Sequence, residues 1–232
     1  MNDAPAMALQ PEPWLSEMLG KPAWHLTPTG RESERVPLPG DGPCFVDVKV
    51  PSGEIATVHR LEEAGFRLAD TNLQLERPTW PIGRSRTGRF AMPEDRAAVE
   101  RLAESSFTYS RFHMDPVIPR SVADRLKRAW AGNFFENRRG DYMVVADVDG
   151  EIGGFLQLLR QGDVLTIDLV AVSSRYRGRG LSSDMLAFAE SAIPGLGTIR
   201  VGTQAANARA LHAYSRDKFR LISANYVLHY HG

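Results

Sequence analysis

The residues of this chain best suited to chemistry lie in two short stretches of its last third. In residues 167–186 a run of aliphatic and β-branched residues closes on Val170, Ala171 and Val172. It gives way to Tyr176, Arg177, Gly178, Arg179, Gly180, Leu181, Ser182 and Ser183, and then to an amphipathic stretch. A strand feeding a glycine-rich helix N-terminus is an anion cradle. Free backbone N–H groups point outward, the helix dipole adds partial positive charge, and glycine lets a phosphate come close. The expected ligand therefore carries a diphosphate or a similar group. The loop reads in two registers, Arg175-x-x-Gly178-x-Gly180 or Arg177-x-x-Gly180-x-Ser182. The second is preferred because it puts Leu181 on the first helical turn. In residues 203–214, Asn207 opens a helix and Tyr214 follows at i+7. The two share one face two turns apart, which lets that face touch an extended ligand at two points.

The elements that must hold these residues are those of an α/β protein. Trp14, Leu15, Met18 and Leu19 make an apolar helical turn or two, and Pro37, Pro39, Gly40, Gly42 and Pro43 mark a loop. Residues 45–50 alternate as a strand, 58–64 form a short helix closed by Gly65, and 66–75 form a second strand. Pro78, Pro81 and Gly83 read as a linker. This sets a boundary near residue 85, with a smaller α/β domain over 1–85 and the main domain over 86–232.

Downstream, a strand over 88–91 precedes a helix opened by Pro93-Glu94-Asp95, with Ala98, Leu102, Ala103 and Phe107 as its buried stripe. Ser121 caps another helix that carries Val122, Leu126, Ala129 and Trp130 on one face. Residues 142–148 and 152–159 pair as a hairpin turning at Asp149-Gly150, and 164–172 add a third strand. A helix over 181–192, a strand over 198–203, a helix over 207–217 and a strand over 220–230 complete a mixed central sheet with flanking helices.

Composition narrows the function. Basic and acidic side chains number 28 each, and no basic tract stands out, which argues against a nucleic-acid groove. Cys44 is the single cysteine, so no internal disulfide forms, in keeping with a cytoplasmic protein. No run approaches the roughly 20 apolar residues of a membrane helix. Asp3, Pro5, Pro11, Glu12 and Pro13 stand where a signal peptide would have a basic start and an apolar run.

The glycine loop resembles motif A of the GNAT superfamily of acetyl-coenzyme A dependent N-acetyltransferases, in which a strand ending Leu-Ala-Val precedes Tyr-Arg-Gly-x-Gly-x-Gly. Val170 to Val172 and Tyr176 to Gly180 match, and Ser182 replaces the final small residue. The stretch from Asn207 through Ala210 to Tyr214 resembles the second signature, Asn-x-x-Ala-x-x-x-Tyr.

The resemblance implies a GNAT fold and acetyl-CoA as co-substrate, with no metal. It implies that Val170, Ala171 and Val172 hydrogen-bond the pantetheine arm, that Arg177, Gly178, Arg179, Gly180, Leu181, Ser182 and Ser183 wrap the pyrophosphate, and that Asn207 contacts the arm. It gives Tyr214 the proton donated to the departing thiolate. A phenol of pKa about 10 beside a thiol of about 8.5 suits that task. Arg216-Asp217-Lys218-Phe219 departs from the family's Lys-x-Gly-Phe, with Lys218 in the capping glycine's place at some local strain. Asp168, with the parity of Val170 and Val172, is the candidate general base, while Thr166 stands where some members carry a glutamate. Asp168 could instead pair with a basic neighbour, with deprotonation running through ordered water alone.

Other segments resemble the TDP-fucosamine acetyltransferase branch of that superfamily. They are Trp14-x-x-x-Met18-Leu19-Gly20, the stretch from Leu61 to Phe66 followed by a strand and Pro78, the stretch from Ser110 to Asp115, and Thr203-Gln204 ahead of Asn207. That likeness implies a nucleotide-linked amino-deoxy sugar as acceptor, a truncated GNAT-like N-terminal domain, and Arg111, His113 and Gln204 as substrate-binding residues. Arg111 is suited to a diphosphate. A surface arginine and a solvated histidine are the plainer alternative. A homodimer is compatible with these features. Two other functions stay open: a GNAT enzyme acting on a protein N-terminus or small amine, and a non-catalytic acyl-CoA sensor.

Overall fold

The computed structural model describes residues 7–27, 35–80 and 85–232. The Pro81 and Gly83 linker reading and the extreme N-terminal residues lie outside them. The described chain folds as β1 (Ala8–Pro11), α1 (Pro13–Leu19), β2 (Ala23–Thr27), β3 (Phe45–Pro51), α2 (Ile55–Glu63), β4 (Arg67–Pro78) and β5 (Gly88–Phe90). It continues with α3 (Arg96–Ser106), α4 (Arg111–Met114), α5 (Arg120–Gly132), β6 (Tyr142–Val148), β7 (Glu151–Gln161), β8 (Val164–Val172), α6 (Leu181–Ala192), β9 (Thr198–Gln204), α7 (Ala208–Arg216) and β10 (Arg220–His231).

All ten strands form one sheet in the order β1-β2-β3-β10-β4-β9-β8-β7-β6-β5. Pairing is antiparallel except for β2 with β3 and β8 with β9. β4, from before residue 85, lies between β9 and β10, from after it. The two parts of the chain therefore share one sheet.

Helices cover both faces. On one face α3 and α5 pack on Phe155, Leu169 and Ala171, while α1, α4 and α5 pack on Ala23 and Phe45. On the other, α6 packs on Leu156, Leu158, Leu165 and Ile167, and α2 packs on Val46, Val48 and Val50. Coverage on both faces explains why β3 is buried at nearly every residue although its sequence reads as alternating. The β6–β7 hairpin turns as its sequence reads. Asp149 and Gly150 take φ of 54° and 82°, the left-handed pair that matches strand twist. Arg77 of β4 is buried and forms a two-pronged ion pair with Glu190 of α6 at 2.8 and 2.6 Å, tying the first part of the chain to the second.

Three local expectations change. α5 starts at Arg120 behind Pro119, so Ser121 lies inside the first turn and does not cap it. Its buried residues are Ala123, Leu126, Lys127, Ala131 and Gly132, a stripe rotated from the one read in sequence because a lysine sits in it. In α3, Val99 takes the buried place read for Ala98. Lys218 does sit in the left-handed region, at φ 66°.

Candidate active site

The site begins where two parallel strands part. β8 and β9 pair from Val164 opposite Thr198 to Ile167 opposite Val201, and then pairing stops. Beyond that point β8 pairs only with β7 and β9 only with β4. The break coincides with a β-bulge: Leu158 of β7 faces Ile167 and Gln157 faces Leu169, which leaves Asp168 as the extra residue. A bulge sharpens local twist and swaps the faces of the residues that follow. Leu165 and Ile167 accordingly join the α6 core, while Leu169 and Ala171 join the α3–α5 core. The parity shared by Asp168, Val170 and Val172 in sequence is thus broken. Val170 and Val172 turn toward α6, and Asp168 turns toward α5.

A cavity of about 830 Å³ fills the opening and reaches both sides of the sheet. Its glycine-loop end is lined by Val170, Ala171, Val172, Arg177, Gly178, Gly180, Leu181 and Ser182. Gly178 and Gly180 take φ of 78° and 80°, and a Cβ at either would meet nothing within 4 Å. Backbone conformation, not crowding, asks for glycine there. Gly180 caps α6 and no side chain caps its first turn. The first amide bonded back is that of Asp184, to the Gly180 carbonyl at 3.0 Å. The earlier amides of that turn are the donors an anion would take. Arg177 donates from Nε to the Val172 carbonyl at 3.1 Å. Two members of the expected set do not line the cavity. Arg179 lies over the Tyr176 ring, and Ser183 donates to Asp217 at 2.7 Å.

α7 forms another wall. Asn207 is its N-cap, accepting from the Ala210 amide at 3.2 Å, and Asn207 and Tyr214 both line the cavity. The Tyr214 ring meets Phe219 edge-on at 5.4 Å, and its hydroxyl makes no hydrogen bond among the described residues. Burial first, then the charge of Asp217, pushes its pKa well above the usual phenol value. The phenol is therefore protonated throughout the physiological range and is available as a donor to an atom in the cavity.

The opposite end is lined by Phe107, Thr108, Tyr109, Ser110, Lys127, Asp168 and Gln204. Asp168 is fully engaged. It accepts from Arg139 Nε and Nη2 at 2.8 and 2.7 Å, from Trp130 Nε1 at 3.0 Å and from Gln157 Nε2 at 3.2 Å. Four donors on two oxygens suit an ion-pair partner and leave little for accepting a proton.

Arg111 and His113 lie on α4, not on a loop, and neither lines the cavity. Arg111 pairs with buried Asp47 and stacks on Phe112. Burial would raise the Asp47 carboxyl, but Arg111 and His25 outweigh it and hold it at about 2. The His113 side chain is 2% exposed, with Nδ1 2.6 Å from Ser110 Oγ and Nε2 2.9 Å from Asp124. Its neighbour Ser110 is the residue of this segment that reaches the cavity. Asp115, His229 and His231 also cluster, with donor types a divalent ion could take. Asp115 Oδ2 lies 2.6 and 2.8 Å from the two histidine nitrogens, the spacing of hydrogen bonds.

The model of the acetyltransferase (GNAT) family matches residues 97–219, which include the whole cleft from α3 to α7. The chain belongs to the GNAT acetyltransferase family. Two curated relatives extend the likeness beyond that segment. This GNAT chain is 30% identical over 80% of its length to spore coat polysaccharide biosynthesis protein SpsD of Bacillus subtilis, and spans 66% of it, just under two thirds. It is 25% identical over 79% of its length to dTDP-fucosamine acetyltransferase of Escherichia coli O6:H1, spanning 80% of that protein. Among solved structures, a GCN5-related N-acetyltransferase from Sphaerobacter thermophilus superposes with a TM-score of 0.57 at 16% identity. It covers 83% of this chain and 61% of its own, a likeness of fold. No helix among the described residues is long and apolar enough to cross a membrane.

Two residues that line the second end, and one behind it, escaped the sequence reading. Ser110 was passed over for its neighbours. Lys127 was not singled out. Asp70 of β4 is buried beside Gln204, and burial outweighs the Thr71 amide and Gln204 to push its carboxyl up to about 6.

Proposed function

We propose that this GNAT protein transfers an acetyl group from acetyl-CoA to the amino group of a nucleotide-linked amino-deoxy sugar. The observation that carries this reading is the single cavity through the parted strands. One end offers a helix N-terminus and two left-handed glycines, and the other a separate polar wall. Acetyl-CoA supplies the activated acyl group. The first-turn amides of α6 hold its diphosphate, with Arg177 adding charge. The exposed backbone edge of β8 past the bulge and the Asn207 side chain hold the arm. Tyr214 donates a hydrogen bond to sulfur as the C–S bond breaks.

The acceptor amine comes from the Tyr109–Ser110 side. Its proton leaves through water to Asp70, which accepts a hydrogen bond from Gln204, and Asp168 fixes Arg139 and Trp130 behind the wall. A carboxyl at about 6 is ionised at neutral pH yet basic enough to take a proton. The choice of amino sugar draws on the two curated relatives, whose names concern polysaccharide biosynthesis and a dTDP-linked sugar. The test is a mass-spectrometric screen of nucleotide-linked amino sugars, peptides and small amines with acetyl-CoA. Gain of one acetyl on a nucleotide-linked amino sugar supports the proposal. Acetylation of peptides or free amines alone overturns the acceptor class, and absence of any turnover with CoA binding intact points to a sensor.

A further inference from the structure

The cavity contains a cation that acyl transfer leaves unused. Lys127 projects from the buried stripe of α5 and is 7% exposed. Its Nζ sits 4.9 Å from the centroid of Phe107 and 4.6 Å from that of Trp130, and the side chain lines the cavity. The ammonium has no hydrogen bond and no ion pair among the described residues; only the two ring faces meet it.

Its charged surroundings explain why no internal partner serves. Asp168 on β8 is the one carboxylate acting on it, and that group is bound to Arg139, Trp130 and Gln157. Arg111 from α4 and Arg139 from the segment after α5 act in the opposite sense, and His113 of α4 faces the same charge. Burial first, then Arg111, brings the lysine down to about 8. At neutral pH such a group is still about nine-tenths protonated, which suits it to binding an anion better than to taking a proton. A buried charge without a counter-charge is strongly unfavourable. Here it faces a ligand cavity, with the hydroxyls of Thr108, Tyr109 and Ser110 on the same wall. The glycine loop already provides an anion site on the other side of the sheet, so the cavity has two places for negative charge, one at each end.

We infer that Lys127 anchors the phosphate of a nucleoside diphosphate group carried by the acceptor. The inference rests on the nucleotide-linked acceptor proposed above and assigns the residue that reads the nucleotide-bearing half of that substrate. Phe107 and Trp130 hold the ammonium between their rings, so little side-chain freedom is lost on binding.

The test uses the whole protein saturated with CoA, so that the glycine loop is filled, and titrates thymidine diphosphate and uridine diphosphate by calorimetry. At least one should bind, and Lys127→Met should weaken that binding about 10- to 100-fold, the range for a hydrogen bond to a buried charge. CoA affinity should stay within about twofold, because Lys127 lies outside the loop. Lys127→Arg should recover part of the loss. A measurement on the unaltered protein guards against a variant that misfolds: diphosphate affinity should fall as pH rises through about 8, while CoA affinity stays level. No binding of either diphosphate to the CoA-loaded protein, equal binding by Lys127→Met, or a level pH profile would overturn the inference. If diphosphate binds through Lys127 but no nucleotide-linked amino sugar is acetylated, the acceptor proposal fails and the anion anchor stands. If Lys127→Met acetylates such a sugar with unchanged KM, the anchor fails and the acceptor proposal stands.

Discussion

At the glycine-loop end of the cavity the parts arrive in nearly one stretch of chain. β8, the loop and α6 occupy 164–192, and Asn207 and Tyr214 follow a single strand later. At the other end Ser110 comes from the segment before α4, Lys127 from α5 and Gln204 from the tip of β9, with Asp70 of β4 behind Gln204. The first end presents mainly backbone amides and two left-handed glycines. The second presents buried side chains whose charge depends on what the fold packs around them. A backbone site is written in local sequence, whereas a site of tuned side chains exists only once distant strands have met. The glycine-loop end should therefore lose function through conformation and the loss of single donors, and the opposite end through charge and pH.

The largest effect should come at the first end. Tyr214→Phe removes the hydroxyl proposed to donate to sulfur and should lower kcat by about 100- to 10,000-fold. CoA affinity, measured by calorimetry, should hold within about twofold. A loss of CoA binding instead would make Tyr214 a packing residue.

At the second end, Asp70→Asn should lower kcat/KM roughly 100-fold at neutral pH. It should also abolish the acid limb of the pH profile. A base works deprotonated, so a carboxyl at about 6 gives activity that is full above that pH and falls below it. An acid limb near 6 that persists in Asp70→Asn would return the proton to another acceptor.

Asp168→Asn sharpens the contrast within that same wall. It should leave the acid limb in place and reduce stability on the order of 1–2 kcal/mol, allowing for the exposure of Arg139. Urea denaturation and a pH–rate profile on one preparation check both. The smallest effect belongs to the turn that closes α7. Lys218→Gly relieves a non-glycine residue at φ 66° and should raise stability by about 0.5–1 kcal/mol with kcat unchanged, read from denaturation midpoints.

The same contrast sets how much was legible in the sequence. α6 was read at its observed bounds because the glycines announce its start, and Asn207 and Tyr214 were singled out because they match the second signature at a spacing that puts them on one helix face. The bulge at Asp168 was hidden because the residues on both sides are aliphatic, so the alternation reads straight through a change of face. β1 and β2 escaped because they are short strands at one end of the sheet, set among prolines, and α4 because it is a single turn. Lys127 escaped because a lysine in an apolar stripe shifts the apparent face of its helix. Asp70 escaped because its raised pKa is made by the insertion of β4 between β9 and β10, which no local window reveals.

The most direct test is a crystal structure with acetyl-CoA bound. Amides of residues 181–183 should lie about 3 Å from the diphosphate oxygens, the ordinary length of such hydrogen bonds, with the Tyr214 hydroxyl within about 3.5 Å of sulfur and the acetyl group pointing toward Ser110. A thioester lodged away from the parted strands, or a Tyr214 hydroxyl turned into the α6 core, would contradict the assignment.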